Sequence, residues 1–231
     1  MEYIIRELRD NLWTLDQNGV RAFLLVGTDK AILVDTCFGG DLKSAVDSIT
    51  DKPVILITTH ADPDHIGSDD QFAVQYMHEA DFSVYENRMK KSTKAIAVED
   101  GTTFDIGNFC LEVIHIPGHT PGSIALLDKE HRFLISGDTV QHNCIFMHGE
   151  GRDLTLFRSS IEKLNCMRVD GSFDTVYPSH GPVAVPADIL PDHLSLAESL
   201  LDGTASPVGP APEWFPDSVK TYRYNRAQMF Y

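Results

Sequence analysis

Val54-Ile55-Leu56-Ile57-Thr58-Thr59-His60-Ala61-Asp62-Pro63-Asp64-His65 is the stretch whose reading decides the fold. Its first four residues are an apolar, β-branched run of the kind that forms a buried strand. Its last six read H-x-D-x-D-H, and His60, Asp62, Asp64 and His65 can each bind a divalent metal. A strand that ends in clustered imidazoles and carboxylates delivers them to one end of a sheet. Side chains in so short a turn can point two ways, so one segment can serve two metals. Imidazole with carboxylate suits zinc, iron or manganese. The competing reading is an ordinary turn, because Pro63 fixes φ and aspartates accept local hydrogen bonds.

Three groups downstream weigh against the ordinary turn. His119 lies in Ile116-Pro117-Gly118-His119-Thr120-Pro121-Gly122. Asp138 ends Phe133-Leu134-Ile135-Ser136-Gly137-Asp138, and His180 ends Thr175-Val176-Tyr177-Pro178-Ser179-His180. Each follows an apolar run and is flanked by Gly or Pro, which lets the backbone turn sharply beside a metal.

With these pieces in this order, the chain resembles the metallo-β-lactamase-fold hydrolases from about residue 20 to about residue 190. The family pattern is H-x-H-x-D-H, a histidine in P-G-H-T-x-G, an aspartate after Gly, and a late histidine before Gly. The resemblance implies an α/β fold, an αβ/βα four-layer sandwich of two mixed β-sheets with outer helices. It implies two divalent metal ions, one held by His60, Asp62 and His119, the other by Asp64, His65 and His180, with Asp138 bridging. It further implies hydrolysis of a small ester, thioester, lactone or phosphoester by a metal-bound hydroxide. Asp64 and Asp138 would be the catalytic groups, and no serine or cysteine nucleophile is needed. Asp35, ending Leu33-Val34-Asp35, would orient a metal histidine, or else only cap its strand.

One position departs from the pattern. Asp62 stands where most members carry histidine. Flavodiiron proteins, a branch of the same superfamily, carry a carboxylate there and bind iron. Counting three carboxylates and one hydroxide against two divalent ions, the centre sums to about zero, where histidine at 62 would leave it about one unit positive. The extra hard oxygen donor moves preference from zinc toward iron or manganese. The alternative function is therefore an iron-dependent oxidoreductase of the same superfamily, persulfide dioxygenase-like or diiron and oxygen-reducing.

The whole chain sets further bounds. Its 231 residues, 42% hydrophobic and 23% charged, can bury a sizeable core. A net charge of −15 argues against nucleic acid and against anionic membrane surfaces as partners. A small-molecule substrate is expected instead. Met1–Glu7 lacks the basic start and long apolar core of a signal peptide. Cys37, Cys110, Cys144 and Cys166 form no C-x-x-C, so reduced thiols of a cytoplasmic protein are expected.

Residues 1–205 read as one metallo-β-lactamase-like domain. Residues 206–231 read as a Pro-rich, aromatic arm packed on that domain or on the partner subunit of a homodimer. Patterning predicts strands over 3–8, 11–15, 21–26, 31–35, 54–58, 111–116, 123–127, 133–136 and 175–177. It predicts helices over 41–49, 68–74, 154–167 and 186–201. Residues 82–108 read as mixed and polar. His142 and His148 are expected as exposed loop residues, with contact at the site mouth as the other reading. His78, His115, His131 and His193 receive no role.

Overall fold

The computed structural model describes residues 2–231. Its first half runs β1 (Ile4–Arg9), β2 (Leu12–Gln17), β3 (Val20–Val26), β4 (Ala31–Val34), α1 (Leu42–Asp47), β5 (Val54–Ile57), β6 (Val74–His78) and β7 (Lys94–Val98). These seven strands form one sheet in chain order. The pairings from β1 to β4 are antiparallel, and those from β4 to β7 are parallel. The second half continues with β8 (Thr103–Asp105), β9 (Cys110–His115), β10 (Ile124–Asp128), β11 (Phe133–Gly137), β12 (Cys144–Phe146), α2 (Leu154–Val169), β13 (Thr175–Pro178), β14 (Val185–Pro186) and α3 (Leu190–Leu201). A second, six-stranded sheet has the order β14-β13-β11-β10-β9-β8.

The two sheets pack face to face because their central strands are apolar on both sides. In β3, Phe23 and Leu25 enter the inter-sheet core, while Ala22 and Leu24 face α1. In β10, Ile124 and Leu126 point inward, while Ala125 and Leu127 meet α2 and α3. This period of two, apolar on both faces, is what a strand buried between two layers requires. α1 supplies Leu42 and Val46, and its N-terminus is capped by the Asp41 carboxylate, which accepts from Ser44 N. α2 supplies Phe157, Ile161 and Leu164, and α3 supplies Leu190, Leu196 and Ala197. The result is the expected αβ/βα sandwich.

Several local expectations are corrected. Residues 68–74 do not form a helix. A single 3₁₀ turn spans Asp69–Gln71, Phe72 is extended, and β6 starts at Val74. Pairing of β6 with β5 and β7 completes the first sheet, and that gain outweighs helical spacing in a short segment. The polar stretch 82–108 contains β7 and β8, which lie toward the sheet edges. Among the described residues no helix is long and apolar enough to cross a membrane.

The C-terminal residues build a third sheet. β15 (Gly209–Pro210), β16 (Lys220–Tyr224) and β17 (Ala227–Phe230) join β12 in the order β12-β17-β16-β15. Ala227 and Met229 enter the core beneath the second sheet, and Arg226 pairs with Asp188 and Asp192 beside α3. Removing residues 206–231 should therefore strip β12 of its strand partner and leave a cavity where Met229 sat. We expect a loss of about 2–5 kcal/mol, read as a lowered urea midpoint relative to the full chain. An unchanged midpoint would show that the third sheet contributes nothing to the core.

Candidate metal centre

The seven expected side chains converge at one edge of the sandwich. The turn after β5 carries His60, Asp62, Asp64 and His65, the loop between β9 and β10 carries His119, Asp138 follows β11, and His180 follows β13. The two sheets are joined here by a backbone bond from Ile124 N to Thr59 O, 2.9 Å. Asp138 sits centrally. Its Oδ1 is 3.4 Å from His65 Nε2, and its Oδ2 is 3.4 Å from His180 Nε2 and 3.8 Å from His119 Nε2. Asp64 Oδ2 lies 3.1 Å from His180 Nε2. Two donor sets emerge, His60 with His119 and Asp138, and Asp64 with His65 and His180, each with its ligand atoms within 4.8 Å of one another.

All four imidazoles are anchored in one manner. Nδ1 of His65 meets Asp35 Oδ2 at 2.7 Å, that of His119 meets Phe146 O at 3.0 Å, and that of His180 meets Gly19 O at 2.8 Å. His60 Nδ1 is 3.0 Å from Thr59 Oγ1, whose own proton goes to Asp35 Oδ2. Carbonyl and carboxylate oxygens only accept, so Nδ1 carries a proton and Nε2 is the nitrogen left to face the centre. Nε2 of His60, His65 and His119 and Oδ1 of Asp138 are buried and have no hydrogen-bond partner among the described residues. Buried polar atoms are normally satisfied, and a divalent cation would satisfy these. The donor set thus fits a pair of metal ions.

The electrostatics agree with that fit. Burial raises the pKa of Asp138, but the His180 and His65 rings outweigh it and hold the carboxyl well below its usual range. Burial raises Asp62 too, and the His119 and His60 rings, whose Nε2 atoms lie 3.2 and 3.6 Å from its Oδ2, hold it well below. Burial lowers His180, yet the Asp138 and Asp64 carboxylates push it up to about 10. His119 is lowered, mainly by burial. The field of three carboxylates favours positive charge at the centre.

Residues outside the seven set their positions. Asp35 has φ +63° and accepts from Thr59 N (2.7 Å), Thr59 Oγ1 (2.8 Å) and His65 Nδ1 (2.7 Å). Those bonds offset the cost of a left-handed non-glycine residue. Asp81 accepts from Ala61 N, Thr120 Oγ1 and Gly122 N at 2.9, 2.9 and 2.7 Å, tying the His60 turn to the His119 loop. Arg21 donates to Pro178 O (2.9 Å) and Gly181 O (3.0 Å), fixing the His180 loop. Gly118 has φ +138°, and a Cβ there would come within 2.4 Å of the Phe157 backbone, so only glycine lets His119 seat against α2. Asp81, Arg21 and Arg152 went unassigned from sequence. A buried aspartate or arginine looks like a surface one until its partners are known.

A cavity of about 410 Å³ opens onto the centre. Phe38, Pro63 and Phe146 form its apolar wall, and His148 and Arg152 complete the rim. Phe146 is backed by Phe215 and Phe230, with ring centroids 5.4 and 5.2 Å away. His148 therefore lies at the mouth, while His142 does not line the cavity. His78 and His115 stack on each other at 3.7 Å, His131 sits 3.1 Å from Asp128, and His193 is buried, all outside the cluster. Cys37 is buried, and burial pushes its thiol up to about 12, far from a reactive thiolate.

Asp35 is a direct test of how the histidines are held. Asp35→Asn tolerates the left-handed backbone but removes the anionic acceptor for His65 and Thr59. Its affinity for a divalent metal, measured by chelator competition, should fall about 10- to 100-fold. Wild-type affinity would reduce Asp35 to a strand cap.

Residues 15–180 match the model of the family described as the Metallo-beta-lactamase superfamily. The chain is 29% identical over 193 residues to "Beta-lactamase-like protein 2 homolog" of Caenorhabditis elegans, a match covering 78% of this chain and 62% of that relative, so it spans less than two thirds of that relative's length. It is 22% identical over 225 residues to "Acyl-coenzyme A thioesterase MBLAC2" of Bos taurus, covering 77% of this chain and 81% of that one. Among solved structures, "Metallo-beta-lactamase from Pontibacter korlensis" superposes with a TM-score of 0.71 at 21% identity, covering 85% of this chain and 99% of that chain. The family match covers most of the sandwich and every one of the seven converging side chains, so the chain belongs to the metallo-beta-lactamase superfamily of enzymes.

Proposed function

We propose that the protein is a dinuclear metallohydrolase that cleaves a small ester or thioester with an apolar acyl group. One observation carries the reading: four Nδ1-anchored imidazoles turn their Nε2 atoms toward three carboxylates at the floor of one cavity. His60, Asp62 and His119 would hold one ion and Asp64, His65 and His180 the other, with Asp138 shared. Bound there, two divalent ions supply a water of lowered pKa and polarise the scissile carbonyl.

The protein's own groups do the rest. Asp138 faces both donor sets and fixes their separation. Asp64, held 3.1 Å from His180, orients the second set. Phe38, Pro63 and Phe146 give an acyl chain an apolar wall and exclude water from the reacting bond. A relative named as an acyl-coenzyme A thioesterase supports the thioester choice. Asp62 adds a hard oxygen donor, which favours iron or manganese beside zinc. Four free thiols support a reducing compartment such as the cytoplasm.

The test is turnover by the metal-loaded protein on matched aryl esters, acyl thioesters, lactones and phosphodiesters, with oxygen uptake followed in parallel. We expect thioester or ester cleavage without oxygen consumption. Asp138→Ala should lose about a hundredfold or more in rate together with bound metal. Ser179→Ala and Cys37→Ala should keep most of the rate. Stoichiometric oxygen uptake would install the iron oxidoreductase reading in place of hydrolysis, and a trapped acyl-serine or acyl-cysteine would overturn direct attack by water.

A further inference from the structure

Arg152 lies in the loop between β12 and α2, and its Nη2 donates to Asp62 Oδ2. That oxygen is 3.2 Å from His119 Nε2 and 3.6 Å from His60 Nε2, so the guanidinium bonds the atom that faces the first donor set. The two side chains are only 13% and 17% exposed, and Arg152 Nε is buried without a hydrogen-bond partner among the described residues. The loop is pinned beside the His119 turn by a bond from Asp153 N to Gly118 O, 2.9 Å. A largely buried guanidinium next to a candidate metal position is costly unless its charge is used.

We infer that Arg152 is a positioning residue for the metal centre. Paired with Asp62, it cancels the charge that aspartate adds where the family pattern has a neutral histidine. It thereby sets the divalent-metal affinity of the position shared with His60 and His119. The charge count is direct. Asp62, Asp64 and Asp138 bring −3, and Arg152 returns +1, for −2 in all. A histidine at 62 beside the other two carboxylates would also give −2. The expectation that Asp62 makes the loaded centre neutral left Arg152 out, and counting it restores the extra positive unit. Asp62 and Arg152 therefore act as one unit that stands in for an imidazole. The rival role, a clamp for an anionic substrate, has less support, because the guanidinium is already bonded to Asp62.

This inference rests on the metal reading of the site, and the experiment separates the two. The full-length chain is stripped of metal and titrated with Zn²⁺ or Mn²⁺ against a chromophoric chelator at fixed pH and ionic strength. Wild type should take up two equivalents. Arg152→Met removes one unit of repulsion a few ångströms from the ion, so one equivalent should bind about tenfold tighter or more. Arg152→Lys keeps the charge and should stay within about threefold of wild type. Asp62→Asn should weaken one equivalent by about tenfold or more, and Asp62→Asn with Arg152→Met should return near the wild-type value, since both charges are gone. Arg152→Gln reads the same charge loss if the methionine variant folds poorly. Unchanged metal affinity in both neutral variants, with only KM raised, would overturn the inference and make Arg152 a substrate clamp. A lysine variant that behaves like methionine would also overturn it. Wild type that takes up no metal would sink this inference and the hydrolase reading together, whereas two wild-type equivalents with an indifferent Arg152 would sink this inference alone.

Discussion

Three carboxylates and four imidazoles cannot be brought to one partly buried spot without compensation, and that constraint organises the molecule. Each charge or lone pair withdrawn from water must meet a partner of matching chemistry. The Nδ1 side of every imidazole meets an oxygen: a carboxylate, a hydroxyl, or the carbonyls of Phe146 and Gly19. The Nε2 side is left to the centre. Asp35 and Asp81 are buried for the same reason. Each accepts three hydrogen bonds, from groups that would otherwise be unpaired in the turns that carry the candidate ligands.

The site depends on both sheets and on the C-terminal strands. The first sheet delivers the His60–His65 turn, and the second delivers His119, Asp138 and His180. The packed inter-sheet core, with Phe23, Phe133 and Tyr177 inside it, and the bonds of Asp81 and Arg21 hold the two deliveries in register. His119 is oriented by the carbonyl of Phe146, which belongs to β12, and β12 pairs with β17 at the C-terminal end of the chain. A strand far along the chain thereby bears on a ring nitrogen at the centre. The same pairing sets Phe146 against Phe215 and Phe230 and so shapes the cavity wall. Packing in one layer and chemistry in another are coupled through that carbonyl.

Much of this was legible in the chain itself, for physical reasons that differ by element. Strands such as Ala31–Val34 and Val54–Ile57 announce themselves because a strand buried on both faces must be uninterruptedly apolar. The seven side chains were legible because histidine and aspartate beside Gly or Pro, at the ends of such runs, have few other uses in combination. The segment 68–74 misled because five to seven residues carry too little periodicity to separate a helix from a turn followed by a strand. The strands near Lys94–Val98 and Thr103–Asp105 were lost among polar residues, since strands near a sheet edge need not be apolar on both faces.

The sequence by itself determined which groups could act: the ligand types, their order, the flanking glycines and prolines, and the aspartate at position 62. Those follow from local chemistry and from short-range pattern. Only the tertiary structure decided how they act together. Arg152 is 90 residues from Asp62 along the chain, and Asp81 is 39 from Thr120. Nothing local marks either as a partner, because a long-range ion pair or hydrogen bond exists only once two sheets have packed and closed the distance. The net charge of the centre, the tautomer of each imidazole and the wall of the cavity are all set by such pairs.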